Sequence, residues 1–167
     1  MSEELPTKLM RHPTRRAIVT LAKRLSLPFE AGMQDWEIEV ADSDRFDDFL
    51  QSYVSDDLST DEKFLLMSIL VQCVEDLAHQ SDAEAMSELH AWLQVKFLLE
   101  ADLHLHASTI HYWACLDELC DDNKFLISTE MRQLWKQITR TGTIKITDHD
   151  DWDEDRHNPA GLDEDDE

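Results

Sequence analysis

The stretch STDEKFLLMSILVQCVEDLAH, residues 59–79, decides the fold of this chain. It begins with a capping box, because Ser59 and Glu62 have the spacing at which each side chain bonds the other residue's backbone amide at a helix start. From Phe64 to Leu77, apolar residues occupy most sides of the resulting helix. Such a helix has to be buried, so the sequence predicts a central helix over residues 60–79 with other helices around it.

Apolar residues recur at helical spacing on both sides of this stretch. A basic helix follows Pro13 and ends at Pro28, and another helix begins near Ser43. Three more are expected over about residues 82–101, 103–118 and 129–140. The first of these three starts at a second capping box in residues 81–84, and its expected buried stripe is Met86, Leu89, Leu93 and Phe97. The predicted fold class is all-α: a single-domain bundle of about six helices over residues 1–147.

Two short segments have the alternation of β-strands. Residues 36–40 (WEIEV) and 143–147 (TIKIT) alternate with a period of two, and the first is acidic where the second carries a lysine. A two-stranded pairing between them would hold the start and the end of the domain together. A loop or a short helical extension is the alternative for each segment.

Charge is distributed in blocks. The formal net charge is -22 over 167 residues, yet the first 25 residues carry +4 and residues 26–124 carry -19. Residues 148–167 contain 11 acidic side chains against one base and are predicted to be a disordered acidic tail, so the folded residues 1–147 keep only -12. The basic N-terminal helix is expected to lie against the acidic middle and neutralise part of it.

A negative field of this size selects among partners. It repels nucleic acid and anionic membranes and attracts cationic proteins, whose association it accelerates. The expected partner is therefore a basic protein, with no nucleic acid and no membrane, and the oligomeric state stays open.

Cysteine usage and apolar runs indicate the compartment. Cys73 and Cys115 lie in apolar helical patterns, and the odd total of three cysteines favours reduced thiols over a disulfide framework. The N-terminus lacks the pattern of a secretory signal, and the longest apolar stretch, residues 64–74, is too short to span a bilayer. We expect a soluble, cytoplasmic protein.

Three histidines form the strongest candidate for a metal or catalytic site. His104 and His111 are seven residues apart, so they share a helix face, on which Glu100 would also lie, and His106 is close by. The spacing matches no established zinc or di-iron motif, and hydrogen-bonded or surface histidines are the alternative. With no nucleophile motif either, the sequence predicts no metal, no cofactor and no enzymatic activity.

An acidic surface is the main candidate site. The helix near Ser43 places its apolar residues on one stripe, which leaves its aspartates facing outward. Trp36 could anchor a partner beside these carboxylates, or it could pack into the core. The candidate partner-binding residues are Trp36, Asp42, Asp44, Asp47, Asp48, Asp56 and Asp57.

Two segments, MQDWE at residues 33–37 and HYWAC at residues 111–115, carry a family resemblance. With its size, charge and helical content, the chain resembles the small acidic immunity proteins of bacterial toxin systems. The resemblance implies a cytoplasmic inhibitor that covers the cationic active site of a toxin, for example a nuclease. It includes no defined family motif, so no functional residue is transferred from it.

Two other classes of function fit the same composition. One is a DNA mimic or a histone-like acidic chaperone, in which the tail would carry binding, and the other is a helical adaptor or scaffold protein.

Deletion of residues 148–167 separates the first class from an inhibitor with a folded interface. We expect the inhibitor to keep most of its affinity for the basic partner, measured by calorimetry, whereas a mimic or chaperone would lose it.

Overall fold

The computed structural model describes residues 4–55, 57–80, 89–117 and 124–140. These ranges contain no strand and seven α-helices, which confirms the all-α prediction. The helices are α1 (Arg15–Arg24), α2 (Trp36–Glu39), α3 (Phe46–Tyr53), α4 (Thr60–Gln80), α5 (His90–Ala101), α6 (Leu103–Ala114) and α7 (Ser128–Arg140). Short 3-10 turns at Thr7–Leu9 and Ser43–Arg45 precede α1 and α3. None of the described helices is long and apolar enough to cross a membrane.

Helix α4 is the centre of the bundle, as the sequence predicts. The capping box is formed: the Ser59 amide donates to Glu62 Oε2 at 2.9 Å, and the Glu62 amide donates to Ser59 Oγ at 3.2 Å. Eleven of the 21 residues of α4 are buried, and helices α1, α2, α3, α5 and α6 all contact it. Because each buried aliphatic side chain contributes roughly 1.5–3 kcal/mol, α4 supplies much of the energy that holds the other helices in place.

A buried carboxylate on α4 positions helix α7. Glu75 is only 4% exposed, and the backbone amides of Leu126 and Ile127 donate to its two oxygens at 2.8 and 3.0 Å. These amides precede Ser128, where α7 begins, so they belong to the helix end that lacks intrahelical acceptors and carries a partial positive charge. This pairing explains how a charged group is stable in the core.

Helix α7 in turn closes the end of α6. Ser128 Oγ donates to the carbonyl of Trp113 at 2.7 Å, and the Arg132 guanidinium donates to the carbonyls of Ala114 and Cys115. The last carbonyls of α6 have no intrahelical partners, and side chains of α7 satisfy them. Helix α6 ends at Ala114, earlier than the predicted residue 118, because Cys115 has a left-handed backbone with φ of 46°.

The predicted strand at residues 36–40 is wrong. These residues form the helical turn α2, with the Val40 amide donating to the carbonyl of Trp36 at 3.0 Å. Trp36 and Val40 are buried, whereas Ile38 is 43% exposed. A four-residue spacing between buried side chains suits a helix that packs on α4, and the alternation of the sequence is a coincidence of this short segment.

The predicted buried stripe of α5 is also wrong. Leu93 and Phe97 are 51% and 70% exposed, whereas Trp92, Val95 and Leu99 are buried. Helix α5 carries two apolar stripes at helical spacing, so periodicity does not decide between them. The stripe that contains Trp92 packs into the core, since it buries the larger side chain.

Several predictions fall on residues outside the described ranges. They are the second capping box at residues 81–84, the buried position of Met86, the strand at residues 143–147, the acidic tail at residues 148–167 and the candidate binding residue Asp56. Of the two segments of the predicted β pairing, residues 36–40 are therefore helical and residues 143–147 lie outside the described residues.

Replacing Glu75 with alanine tests the link between α4 and α7. The variant leaves two buried amides without an acceptor, so we expect the free energy of unfolding in urea to fall by about 3 kcal/mol. Asp76→Ala is the matched control, because the half-buried Asp76 accepts from the exchangeable side chain of Gln72, at 3.0 Å, and not from backbone amides at the start of α7. We expect that control to lose less than about 1 kcal/mol, and equal losses in the two variants would contradict a special role for Glu75.

Candidate functional site

The acidic surface predicted around α3 is formed. Phe46, Phe49 and Tyr53 are buried on the inner side of α3, which leaves Asp47 and Asp48 exposed on its outer side. Asp42 and Asp44 at the preceding turn and Asp57 in the loop after α3 are exposed as well. We call this surface the acidic face and define it by Asp42, Asp44, Asp47, Asp48 and Asp57.

Two basic side chains neutralise part of the acidic face. Arg24 of α1 lies 2.8 Å from Asp57, and Arg45 lies 3.5 Å from Asp48. Hydrogen bonds from Arg24 and then from Ser55 hold the pKa of the Asp57 carboxyl below its usual range. Asp44 and Asp47 form no ion pair within the described part of the chain.

The basic N-terminal segment contacts the acidic middle, as expected. In addition to the Arg24 pair, Arg11 lies 3.4 Å from Asp61 at the start of α4. All of these pairs are exposed, and such pairs contribute little to stability. The carboxylates therefore remain accessible to an external cation that can replace the internal one.

Trp36 occupies the core, the alternative that the sequence left open. Its side chain is 2% exposed, and its indole N–H donates to the carbonyl of Pro28 at 2.8 Å. In this position Trp36 supports α2 and offers no exposed ring to a partner.

The three clustered histidines have different surroundings. His104 is exposed and His106 is fully buried. The ring of His111 packs edge-on against Trp135, with the two ring centroids 5.0 Å apart. Glu100 does not share a helix with His104, because α5 ends at Ala101. In the described part of the chain, no three His, Cys, Asp or Glu side chains converge as metal ligands would.

The thiols differ from each other too. Cys73 is buried on α4, and burial raises the pKa of its thiol to about 12, as expected for a core cysteine. Cys115, which the sequence also places in an apolar helical pattern, lies at the end of α6 and is partly exposed.

A buried tyrosine–histidine pair connects α3 and α6. Tyr53 Oη lies 2.6 Å from His106 Nε2, and the sequence did not predict this pairing because 53 residues separate the two side chains. Burial lowers the pKa of His106 to about 4, with small further contributions from Arg11 and Lys63 and an opposing one from Asp102. His106 is therefore neutral at pH 7, and the pair holds two helices together.

A cavity of about 220 Å³ lies between the N-terminal segment, α2, α4 and α6. The sequence did not predict it, although both segments of the family resemblance line it: Asp35 and Glu37 come from the first, and Tyr112 and Trp113 from the second. Burial, followed by the nearby charge of Asp35, raises the pKa of the Glu37 carboxyl. Such residues are brought together only by the packing of α2 and α6 on α4, so no sequence pattern marks the cavity.

Comparison of the chain with models of protein families, with curated proteins and with solved structures gives no significant match. Charge, burial and cavity geometry in the described residues therefore carry the functional argument.

The buried His106 predicts a pH dependence of stability. Its pKa is lowered from 6.5 to about 4 on folding, so between these values the unfolded state binds a proton that the folded state does not. The stabilisation that comes from keeping His106 neutral is thus fully present above pH 6.5. It is lost as the pH falls to about 4, which lowers the free energy of unfolding by about 3 kcal/mol.

Urea denaturation of wild type and His106→Gln at pH 7, 6, 5 and 4 measures this contribution. Glutamine can keep a hydrogen bond to Tyr53 but does not titrate. We expect the difference in stability between the two proteins to shift in favour of the variant as the pH falls. Parallel pH profiles would show that His106 is not the titrating group.

Proposed function

We propose that this chain is a non-enzymatic binding protein that engages a basic protein through its acidic face. The observation that carries the proposal is the exposure of five carboxylates, Asp42, Asp44, Asp47, Asp48 and Asp57, on α3 and in the segments directly before and after it. Among the described residues, only Asp48 and Asp57 of this set have internal cationic partners.

The architecture of the acidic face supports rapid and selective association. Two of its carboxylates, Asp47 and Asp48, stand on α3, whose inner side is anchored in the core, so the positions of these two charges are largely fixed before binding. A preformed field of one sign accelerates encounter with a cationic surface by about 10- to 1,000-fold. Complementary charge also selects against acidic competitors.

The narrower form of the proposal is a cytoplasmic immunity protein that neutralises a bacterial toxin. A toxin that cleaves nucleic acid needs a cationic active site, and carboxylates can occupy the positions where phosphates bind. Size, net charge and the all-α fold support this form, together with the resemblance of the sequence to that class.

A triple variant tests the acidic face. We expect Asp44→Asn, Asp47→Asn and Asp48→Asn together to weaken binding of a fluorescent deca-lysine peptide about tenfold, and to flatten the dependence of affinity on salt. Fluorescence anisotropy at several salt concentrations measures both effects.

The matched control removes three exposed acids elsewhere. Glu30→Gln, Glu100→Gln and Asp117→Asn change the net charge by the same amount but leave the acidic face intact. We expect less than a twofold loss of affinity in this control. Equal losses in the two triple variants would show that total charge, and not the acidic face, determines binding.

A further inference from the structure

The polar lining of the cavity combines hydrogen-bond acceptors with two basic side chains, Arg11 and His12. Ser68 Oγ donates to the carbonyl of Phe64 at 3.3 Å, and Ser108 Oγ donates to the carbonyl of Arg11 at 3.4 Å. Their protons are therefore engaged, and their oxygen lone pairs are left for a ligand. The carboxylates of Asp35 and Glu37 are acceptors as well.

One hydroxyl in the cavity wall has no partner. Thr109 is only 4% exposed, and its Oγ1 forms no hydrogen bond within the described part of the chain. A buried polar atom without a partner lowers stability, and native proteins keep few of them. Because this oxygen is closed to solvent, the Thr109 hydroxyl lowers the stability of the cavity wall and is not a contact for an occupant.

An aromatic ring stands at the mouth of the cavity. Tyr112 is 59% exposed, yet its ring packs edge-on against Trp113, with ring centroids 5.8 Å apart, and tilted against Phe125, with ring centroids 5.9 Å apart. These neighbours hold the ring in place, so it is available as a preformed platform for a planar cation. Guanidinium groups stack on aromatic rings and donate five N–H bonds in a fixed fork.

Arg11, at the rim of the cavity, already forms an ion pair. The guanidinium of Arg11 pairs with Asp61 on the first turn of α4. Meanwhile, Glu37 is partly desolvated beside the like charge of Asp35, an arrangement that a bound cation would stabilise. The volume of about 220 Å³ is below the roughly 300–1,000 Å³ of pockets for drug-sized ligands, and it suits a single long side chain.

We propose that this cavity receives one arginine side chain of the basic protein partner, with Asp35 and Glu37 binding the guanidinium and Tyr112 stacking on it. The identity of the partner rests on the proposed function. The recognition of arginine rests on the cavity alone. The acidic face would then supply attraction over distance, and the cavity would supply selectivity for one residue.

Titration with N-acetyl-arginine amide, followed by amide NMR shifts, tests the proposal. We expect saturable shifts at Ile38, Ser68 and Thr109 with a millimolar Kd, and at least tenfold weaker binding of N-acetyl-citrulline amide, the neutral analogue of similar shape. Equal binding of the two compounds would overturn the proposal. Inorganic phosphate should not shift these residues; if it did, and the arginine compound did not, the cavity would be an anion site.

Variants locate the interaction. The double variant Asp35→Asn and Glu37→Gln should weaken binding of N-acetyl-arginine amide about tenfold, and asparagine tolerates the left-handed backbone of residue 35, where φ is 49°. Thr109→Val should leave this binding unchanged and raise the urea midpoint of the free protein, because it removes the unpartnered buried hydroxyl. Thr139→Val is the control, since Thr139 Oγ1 is bonded to the carbonyl of Trp135 at 3.0 Å, outside the cavity.

The triple variant of the acidic face separates this proposal from the proposed function. It should bind N-acetyl-arginine amide as wild type does, because none of its three residues lines the cavity. One outcome is that binding of the deca-lysine peptide depends on the acidic face but wild type does not bind N-acetyl-arginine amide. The cavity proposal is then wrong and the proposed function stands. If the arginine compound binds while the two triple variants bind deca-lysine equally, the acidic face is wrong and the cavity proposal stands.

Discussion

The burial of α4 is the constraint on which the rest of the structure depends. A helix that is apolar on most sides cannot face water, so the other helices pack around it. Its one buried charge, Glu75, then fixes the start of α7 through the amides of Leu126 and Ile127. Helix α7 fixes the end of α6 through Ser128 and Arg132. A single helix thus orders the bundle first by apolar packing and then by a series of side-chain to backbone hydrogen bonds.

The same packing places opposite charges next to each other. Helix α1, which is basic, and helix α3, which is acidic, both contact α4. Their ends meet where Arg45 donates to the carbonyl of Leu25 at 2.8 Å, next to the pair of Arg24 and Asp57. Among the described residues, α1 pairs with the acidic face at Asp57 alone, so an excess of carboxylates remains. The charge blocks of the sequence therefore become a patch with a defined position.

The sequence predicts what depends on local hydrogen bonds and on a strong apolar pattern. The capping box at Ser59 and the helix α4 follow from neighbouring residues, and so does the outward position of Asp47 and Asp48. It fails where a pattern has two solutions, as on α5, where Phe97 and not Trp92 is exposed. It also fails where the partner is remote: neither the bond of Tyr53 to His106 nor the meeting of Asp35 with Tyr112 has a local pattern. Residues 36–40 show the same limit, because their alternation fits both a strand and a short helix.

The hydrogen bonds between α6 and α7 make the stability of the cavity wall depend on the docking of α7. Tyr112 and Trp113 lie on the last turn of α6, whose carbonyls are held by Ser128 and Arg132, and Phe125 supports both rings just before α7. The wall exists only while α7 is docked. Partial unfolding that detaches α7 would remove the aromatic ring, the closed helix end and the cavity together, in one cooperative unit. Occupation of the cavity and protection of the α7 amides from hydrogen exchange are therefore thermodynamically linked, although α7 itself does not line the cavity.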